Sequence, residues 1–215
     1  MRLFLSSTLD GSIDLFVKEY ELDPKATSVV YIPTAENCFS PPRQISERGS
    51  YQCLIEQGFP ITICDLDKDS LSEMQEKINN AKVIVCAGGN TFYLLYHMKK
   101  SGFDKLLPSL FEKEIIYVGS SAGSCVCSPN ISYVRDEDDP GMAPKLKDYS
   151  GLNLVNFEIY PHCTEELESA SEKIYLRDNQ AIVVENNAYK ILSSLVIPDS
   201  IGNPLIPGSS DQVRG

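Results

Sequence analysis

A run of small residues around Ser121 is the first feature of the sequence that could carry chemistry. The apolar run at 115–118 leads directly into Gly-Ser-Ser-Ala-Gly at 119–123. Small neighbours let the backbone turn sharply from a strand into a helix, which exposes the middle hydroxyl and aims the next amide at the same place. Ser121 is therefore predicted to attack carbonyl groups, because it alone has glycine at both −2 and +2. A phosphate-binding or purely structural turn is the alternative.

A second glycine-containing turn, at 87–91, follows the apolar run at 83–86. Both turns should lie at the carboxyl edge of one parallel sheet, where ligands bind in such folds. Gly88 or Gly89 would then supply one backbone N–H for an oxyanion, and Ala122 the other. A tight turn without a chemical role explains the glycine pair equally well.

The serine needs a general base, and the sequence contains only two histidines. His162 follows a short predicted strand and a proline, where catalytic side chains commonly lie. His97 is in the middle of a predicted helix and is interpreted as a packing or surface residue. The residues themselves do not select the acid that orients the base, since several acidic residues qualify. These are Asp136, Glu137, Asp138 and Asp139 in one loop, and Glu165 and Glu166 after the histidine.

Apolar runs alternate with amphipathic stretches up to residue 118, which predicts a parallel sheet covered by helices on both faces. One domain is expected over residues 1–198, followed by an irregular tail at 199–215 that is rich in Pro, Gly and Ser. Strands are predicted at 3–5, 28–32, 61–64, 83–86, 115–118, 131–134, 158–160, 181–184 and 189–192, and helices at 10–19, 42–57, 71–79, 92–100 and 104–113.

Composition narrows the class of protein. The 215 residues are 42% hydrophobic, which suffices for one substantial core. A formal net charge of −11 disfavours nucleic acid and anionic lipid as partners, and no apolar run is long enough to cross a bilayer. Seven cysteines without a C-x-x-C pair indicate reduced, mostly buried thiols. We expect a cytoplasmic monomer or small homo-oligomer that needs no metal or cofactor.

Taken together, the motifs resemble those of the peptidase E family of serine peptidases, which is related to the cyanophycinases. The resemblance covers roughly residues 1–165, through segments at 3–7, 31–35, 88–92, 119–123 and 161–162. It implies an α/β fold, a three-layer sandwich with a mostly parallel central sheet like that of the class I glutamine amidotransferases. It also implies Ser121 as the nucleophile and His162 as the base.

The resemblance extends to further site residues. The family pattern places the triad acid at the end of an Ile-x-x-x-x-Asp stretch, which residues 131–136 match, so Asp136 is expected to orient His162. The family's Gly-Gly-Asn motif maps the second oxyanion amide to Gly89, beside that of Ala122. The sequence departs from the family after the histidine, where it is short and acidic, with glutamates at 165, 166, 168 and 172.

That departure bears on substrate specificity. Holding an N-terminal aspartate would require a fixed cation, ideally an arginine. Arg135, Arg177 and, after the glycine pair, Asn90 are the candidates for binding substrate. The glutamates would repel a second carboxylate if they face the site, and a carboxylate there would suit a free amino terminus. We therefore expect neutral or basic first residues to serve as well as aspartate, or better.

The expected function is a serine-type peptidase that hydrolyses short peptides or dipeptides through Ser121, His162 and Asp136. An esterase of the α/β-hydrolase kind has the same order of residues, but it usually places the histidine much nearer the chain end. A non-catalytic, small-molecule-binding protein of the same fold is the other alternative.

Overall fold

A seven-stranded sheet forms the centre of the protein in the computed structural model, which describes residues 1–41, 43–165, 172–186 and 188–194. The predicted tail at 199–215 lies outside the described residues. The strands are β1 (Arg2–Ser6), β2 (Val29–Ile32), β3 (Ile61–Ile63), β4 (Val83–Cys86), β5 (Ile116–Ser120), β6 (Glu158–Tyr160), β7 (Lys173–Tyr175), β8 (Gln180–Glu185) and β9 (Ala188–Ser193).

The central sheet has the strand order β3-β2-β4-β5-β1-β8-β9, and its first five strands are parallel. β8 pairs with β1 in the antiparallel direction, and β9 returns beside β8 as a hairpin. The beginning of β8 therefore lies at the same edge of the sheet as the ends of β1 and β5. Because β8 runs in the opposite direction, the chain segment that leads into it lies at the edge where β1 and β5 end.

The central strands carry apolar side chains on both faces of the sheet, because helices cover both faces. Within β1, Leu3 and Leu5 belong to one core cluster and Phe4 to the other. The same alternation divides β2 and β4, as expected where successive side chains point to opposite faces. The result is two separate hydrophobic cores, one on each side of the sheet.

Helices complete the two outer layers and confirm the three-layer α/β architecture. α1 and α2 contribute to the core that contains Phe4, whereas α3, α4 and α5 contribute to the core that contains Leu3 and Leu5. The helices are α1 (Ile13–Glu19), α2 (Gly49–Gln57), α3 (Leu71–Ile78), α4 (Thr91–Ser101), α5 (Phe103–Glu112) and the short α6 (Ala122–Cys125).

A second, two-stranded sheet lies beside the first. β6 and β7 pair in parallel, and hydrogen bonds continue past their ends, from the Leu176 amide to the Tyr160 carbonyl and from the Cys163 amide to the Leu176 carbonyl. Two chain segments that follow these strands are thereby held side by side. The sequence did not predict β7, which has only three residues.

Two other predicted elements differ from the structure. The strand expected at 131–134 is wrong, because a 3-10 helix occupies Ser132–Asp136. The side chain of Asn130 accepts the backbone N–H of Ser132 at 2.8 Å and turns the chain there. The helix expected from residue 42 begins only at Gly49. Among the residues described, no helix is both long and apolar enough to span a membrane.

Candidate active site

Ser121 stands at a sharp turn between β5 and α6. Its backbone dihedrals, φ 50° and ψ −111°, lie in a region that residues other than glycine rarely adopt. Such a conformation costs on the order of 1–3 kcal/mol and persists only where the surrounding structure enforces it. Here the Ser121 amide donates to the Ser6 carbonyl at 3.1 Å, which ties the turn to the end of β1. The predicted strand–serine–helix elbow is present.

The glycines on either side of the elbow are required by close backbone packing. A Cβ at position 119 would lie 2.5 Å from the Gly123 carbonyl oxygen, and one at position 123 would lie 2.1 Å from the Cys86 carbonyl oxygen. α6 thus packs directly on the ends of β4 and β5, with no room for a methyl group. The Tyr117 hydroxyl, which donates to the Gly123 carbonyl at 2.7 Å, secures this contact from within the core.

The two neighbouring serines are committed elsewhere. The Ser120 hydroxyl accepts the Leu9 amide at 3.1 Å, and the Ser124 hydroxyl donates to the Ser6 carbonyl at 2.8 Å. Both residues are buried, although Ser120 lines one of the two cavities that flank Ser121. Of the three serines, Ser121 alone lines both cavities and contacts His162.

His162 lies against the serine. Its Nε2 is 2.9 Å from the Ser121 Oγ, which is hydrogen-bonding distance. The residue follows β6 by two positions and has a left-handed backbone, with φ 61°. Its amide donates to the Ser7 hydroxyl at 2.7 Å, which fixes this bend. The structure therefore brings together the serine and the histidine that the sequence singled out.

The carboxylate beside the imidazole belongs to Asp178. Its Oδ1 lies 2.8 Å from the His162 Nδ1, so serine, imidazole and carboxylate form a continuous chain. Asp178 stands between β7 and β8 at the shared edge of the two sheets. The Thr8 hydroxyl donates to its backbone carbonyl at 3.0 Å, and the Ser7 hydroxyl donates to its carboxylate at 2.8 Å. Asp178 was not among the acidic residues that the sequence offered as candidates.

The expectation that Asp136 lies against His162 is wrong. Asp136 is exposed at the end of the 3-10 helix that replaced the predicted strand, and Asp178 occupies the position beside the ring. Arg135 directs its guanidinium over the Tyr149 ring, 4.8 Å from the ring centroid. Arg177 immediately precedes Asp178, and its amide donates to the Gln180 side chain at 2.8 Å. Neither Arg135 nor Arg177 is among the described residues that line the cavity beside Ser121.

Asn90 has a structural position instead of the substrate-binding one expected of it. It is only 2% exposed, its side-chain oxygen accepts the Tyr93 amide at 2.9 Å, and its side-chain nitrogen donates to the Asp139 carbonyl at 3.0 Å. The first contact caps α4, as asparagine commonly does at a helix N-terminus. Both the oxygen and the nitrogen of the side chain thus hydrogen-bond within the fold, and Asn90 is not among the described residues that line the cavity beside Ser121.

The two predicted oxyanion amides lie at turns next to the serine. Gly89 has φ 133°, and a Cβ there would lie 2.5 Å from the Ala35 carbonyl, so only glycine fits. A Cβ at the preceding Gly88 would come within 3.3 Å of the Ser121 Cβ, which shows how closely this turn approaches the elbow. Ala122 is the first residue of α6. Within the described residues, neither the Gly89 nor the Ala122 amide has an acceptor.

A cavity of about 570 Å³ opens beside Ser121 and His162. Tyr160 and Tyr175, stacked with 4.9 Å between ring centroids, form part of its wall. Glu137 and Asp138 also line it, and the described lining contains no lysine or arginine. Asp138 accepts the first amide of α4 at 2.8 Å, whereas the Glu137 carboxylate has no partner among the described residues. The cavity is therefore partly apolar and carries negative charge.

Other potentially reactive groups near the site are held neutral. Cys125 and Cys163 line the cavity, but burial raises the pKa of the Cys125 thiol to about 12 and also raises that of Cys163. Neither is a thiolate at neutral pH, and the thiolate is the nucleophilic form. His97 is buried in α4, away from the described lining of the cavity, and burial lowers its pKa. No cluster of metal-ligating side chains occurs among the residues that the structure describes.

The fold and this site together define an α/β protein of the serine-hydrolase type. The sequence profile described as "Peptidase family S51" matches residues 7–192. The chain belongs to this peptidase family, and it is a peptidase of the peptidase E type.

Individual relatives agree with the family assignment. An uncharacterized peptidase of Pasteurella multocida is 32% identical over 89% of this chain and 96% of its own length, and one of Listeria monocytogenes is 35% identical over 74% and 77%. A peptidase E of Nostoc is 40% identical, over 41% of this chain and 35% of its own. A crystal structure of a Listeria monocytogenes protein provisionally assigned to peptidase E superposes with a TM-score of 0.80 at 28% identity, covering 90% of this chain and 98% of the other.

Proposed function

We propose that the chain is a serine peptidase that hydrolyses short peptides, with Ser121 as nucleophile, His162 as general base and Asp178 as the residue that orients the imidazole. The observation that carries the proposal is the hydrogen-bonded series Ser121 Oγ–His162 Nε2 at 2.9 Å and His162 Nδ1–Asp178 Oδ1 at 2.8 Å. This is the arrangement by which a weakly nucleophilic hydroxyl is activated in serine hydrolases.

In the acylation step the Ser121 oxygen attacks the scissile carbonyl carbon while its proton passes to His162 Nε2. The carbonyl π-electrons move to the oxygen and form a tetrahedral oxyanion. On collapse, the C–N bond breaks and the imidazolium returns the proton to the leaving amine. Water then attacks the acyl-serine ester with the same base, releasing the second product and regenerating the hydroxyl.

The developing oxyanion would be bound by the backbone N–H groups of Gly89 and Ala122. Two features support this assignment: neither amide has an acceptor within the described residues, and the Gly88–Gly89 turn approaches the serine closely. Ala122 is the first residue of α6, where a backbone N–H has no acceptor within the helix. Donors fixed in advance in this way lower the barrier without reorganising during the reaction.

The composition of the cavity favours substrates with a neutral or cationic first residue. The carboxylates of Glu137 and Asp138 would repel an aspartate side chain and attract an ammonium group. The described lining of this cavity contains no arginine, and in the cavity on the other side of Ser121 both Arg43 and Arg48 are already paired with Glu36. Glu137 is the stronger candidate, because Asp138 is engaged in capping α4.

The catalytic assignment is tested with Ser121→Ala and with a fluorophosphonate probe, which labels active serine hydrolases. Ser121→Ala should abolish labelling and lower kcat by several powers of ten, as removal of a triad member does. Ser120→Ala is the matched control, because it changes the adjacent hydroxyl without touching His162. Labelling that persists in Ser121→Ala, or a larger loss in Ser120→Ala, would overturn the proposal. Turnover of esters without turnover of peptides would identify an esterase instead.

Specificity is tested by comparing kcat/KM for Asp-Leu, Ala-Leu and Lys-Leu. We expect Ala-Leu and Lys-Leu to be hydrolysed at least as well as Asp-Leu. Glu137→Gln should reduce the advantage of Lys-Leu, whereas Asp136→Asn, which changes a neighbouring exposed carboxylate, should not. A hundredfold preference for Asp-Leu, equivalent to about 2.7 kcal/mol, would contradict the proposed role of the acidic wall.

A further inference from the structure

Ser7, at the end of β1, connects two members of the proposed triad. Its side chain is fully buried, and its hydroxyl oxygen lies 2.7 Å from the His162 amide nitrogen and 2.8 Å from Asp178 Oδ1. Asp178 Oδ1 is also the oxygen that contacts the His162 ring. The three residues therefore close a ring of hydrogen bonds that runs from the His162 backbone through Ser7 and Asp178 back to the His162 side chain.

The direction of every bond in this ring follows from the donors available. A backbone N–H can only donate, so the Ser7 oxygen accepts from His162. The single proton of Ser7 is then directed to the Asp178 carboxylate, which is an acceptor when ionised. The same carboxylate accepts the His162 Nδ1 proton, which leaves the Nε2 lone pair facing Ser121. The ring thus selects the tautomer of the imidazole that can act as a base.

The ring also holds an unfavourable backbone conformation. His162 has φ 61°, a region that residues with a Cβ avoid, and the bond from its amide to Ser7 secures the bend. Asp178 is secured in the same way at both ends, by Ser7 at its carboxylate and by Thr8 at its carbonyl. The imidazole and its carboxylate are consequently positioned from β1, a strand in the middle of the sheet.

We propose that Ser7 is a positioning residue of the peptidase, which acts by orienting His162 and Asp178 instead of contacting the reacting atoms. This inference rests on the proposed function, because it assigns Ser7 a role in that reaction. Its distinguishing consequence is that Ser7 contributes most while Asp178 is present, because without that carboxylate only its hydrogen bond to the His162 amide remains. A residue that merely stabilised the fold would contribute equally with and without the carboxylate.

The test is a double-mutant cycle on Ala-Leu hydrolysis with Ser7→Ala, Asp178→Ala and the double variant. Ser7→Ala should lower kcat about 10- to 100-fold, the range typical of residues that orient a ligating or catalytic imidazole, and change KM less than about threefold. In the Asp178→Ala background the same change should lower kcat by less than about threefold. Equal losses in the two backgrounds would overturn the inference, as would kcat within twofold of wild type in Ser7→Ala.

Two further variants separate positioning from folding. Ser12→Ala removes another buried serine of the same segment, whose hydroxyl donates to the Thr8 carbonyl at 2.7 Å, and should leave kcat unchanged. If Ser7→Ala unfolds, Ser7→Cys repeats the cycle with a side chain of similar size and a weak donor. Activity that survives Ser121→Ala would refute the proposed function itself, whereas Ser121-dependent activity unaffected by Ser7→Ala or Ser7→Cys refutes only the role of Ser7.

Discussion

At the scale of single residues, the site depends on which polar groups are left uncommitted. Ser120 and Ser124 have hydrogen-bond partners in the interior. The side-chain oxygen and nitrogen of Asn90 also form hydrogen bonds within the fold. Ser121 and His162 instead contact each other at the wall of a cavity. The glycines at −2 and +2 single out Ser121 in the sequence, and the hydrogen-bond partners of the three serines agree with that choice.

The same reasoning gives a prediction for the two aspartates. Asp178→Asn should lower kcat on the order of 10⁴-fold, because an amide no longer stabilises the imidazolium or fixes the tautomer in which Nε2 accepts a proton. Asp136→Asn should retain kcat within about twofold, since that side chain is exposed at the end of its 3-10 helix. Steady-state kinetics on one dipeptide decides between them. A greater loss in Asp136→Asn would show that Asp136, the acid implied by the family pattern, is the one that supports catalysis.

At the scale of elements, the site is assembled from chain segments that end, or begin, at one edge. β1, β4 and β5 bring their carboxyl ends there, and the antiparallel β8 brings its amino end. The parallel pair β6 and β7 delivers His162 and Asp178 side by side. The elbow depends in addition on the tight contact of α6 with the ends of β4 and β5.

That contact predicts an unusually large effect of one methyl group. Gly123→Ala should lower the free energy of unfolding by about 3 kcal/mol or more, because the new Cβ would lie 2.1 Å from the Cys86 carbonyl oxygen. Gly58→Ala is the control: Gly58 ends α2 with φ 89°, and its Cβ would meet only the Lys25 side chain, at 3.6 Å, so about 1 kcal/mol is expected. Urea denaturation measures both, and equal losses would contradict the packing argument.

α4 carries a pH-sensitive contribution to stability through His97. Burial lowers the pKa of His97, and the Asp67 carboxylate, 3.4 Å from its Nδ1, opposes this only in part. Since the neutral form is favoured in the fold, the contribution is complete above the unfolded value of about 6.5 and is lost as the pH falls below it, by at most about 1.4 kcal/mol per pH unit.

His97→Gln should therefore flatten the decline of Tm between pH 7.5 and pH 5.5, even if the variant is less stable at pH 7.5. The control is Phe92→Leu, which also alters the packing of α4 but changes no ionisable group and should leave the slope unchanged. Thermal melts at several pH values measure the slopes. A decline as steep in His97→Gln as in the wild type would show that the buried histidine does not carry the pH dependence.

At the scale of the whole molecule, the protein has a negative net charge, and acidic side chains line the cavity beside Ser121. The formal net charge is −11, and the described wall of the 570 Å³ cavity includes Glu137 and Asp138 but no lysine or arginine. Such a field raises the local concentration of cationic ligands and lowers that of anionic ones, and salt screens it over about 8–10 Å. The charge should therefore affect which peptides reach Ser121 as well as which ones bind.

Raising NaCl from 0.05 to 0.5 M should lower kcat/KM for Lys-Leu by about two- to fivefold, because the electrostatic attraction is screened. Ala-Leu, which carries no net charge, serves as the control and should change little. The comparison is made at one pH, so that no ionisable group changes state. An unchanged ratio of the two rates across the salt range would show that long-range charge does not select the substrate.

The sequence by itself determined the parallel part of the sheet, the elbow and the pairing of Ser121 with His162, because these depend on local patterns. Apolar runs, glycines at fixed offsets and a scarcity of histidine are visible without coordinates. The resemblance to peptidase E added the three-layer architecture, which the structure confirms. It also pointed to Asp136, since a motif transfers an acid by its spacing along the chain.

Only the tertiary structure placed Asp178 and Ser7 beside His162. Ser7 and Asp178 are 171 positions apart, and they meet because β8 runs antiparallel to β1. Strand direction is a property of the assembled sheet and leaves no mark on the apolar pattern of β8. The three-residue β7, which delivers Asp178 beside His162, is too short to show a period. Contacts between distant segments depend on how strands pair, and that pairing is decided when the two cores form.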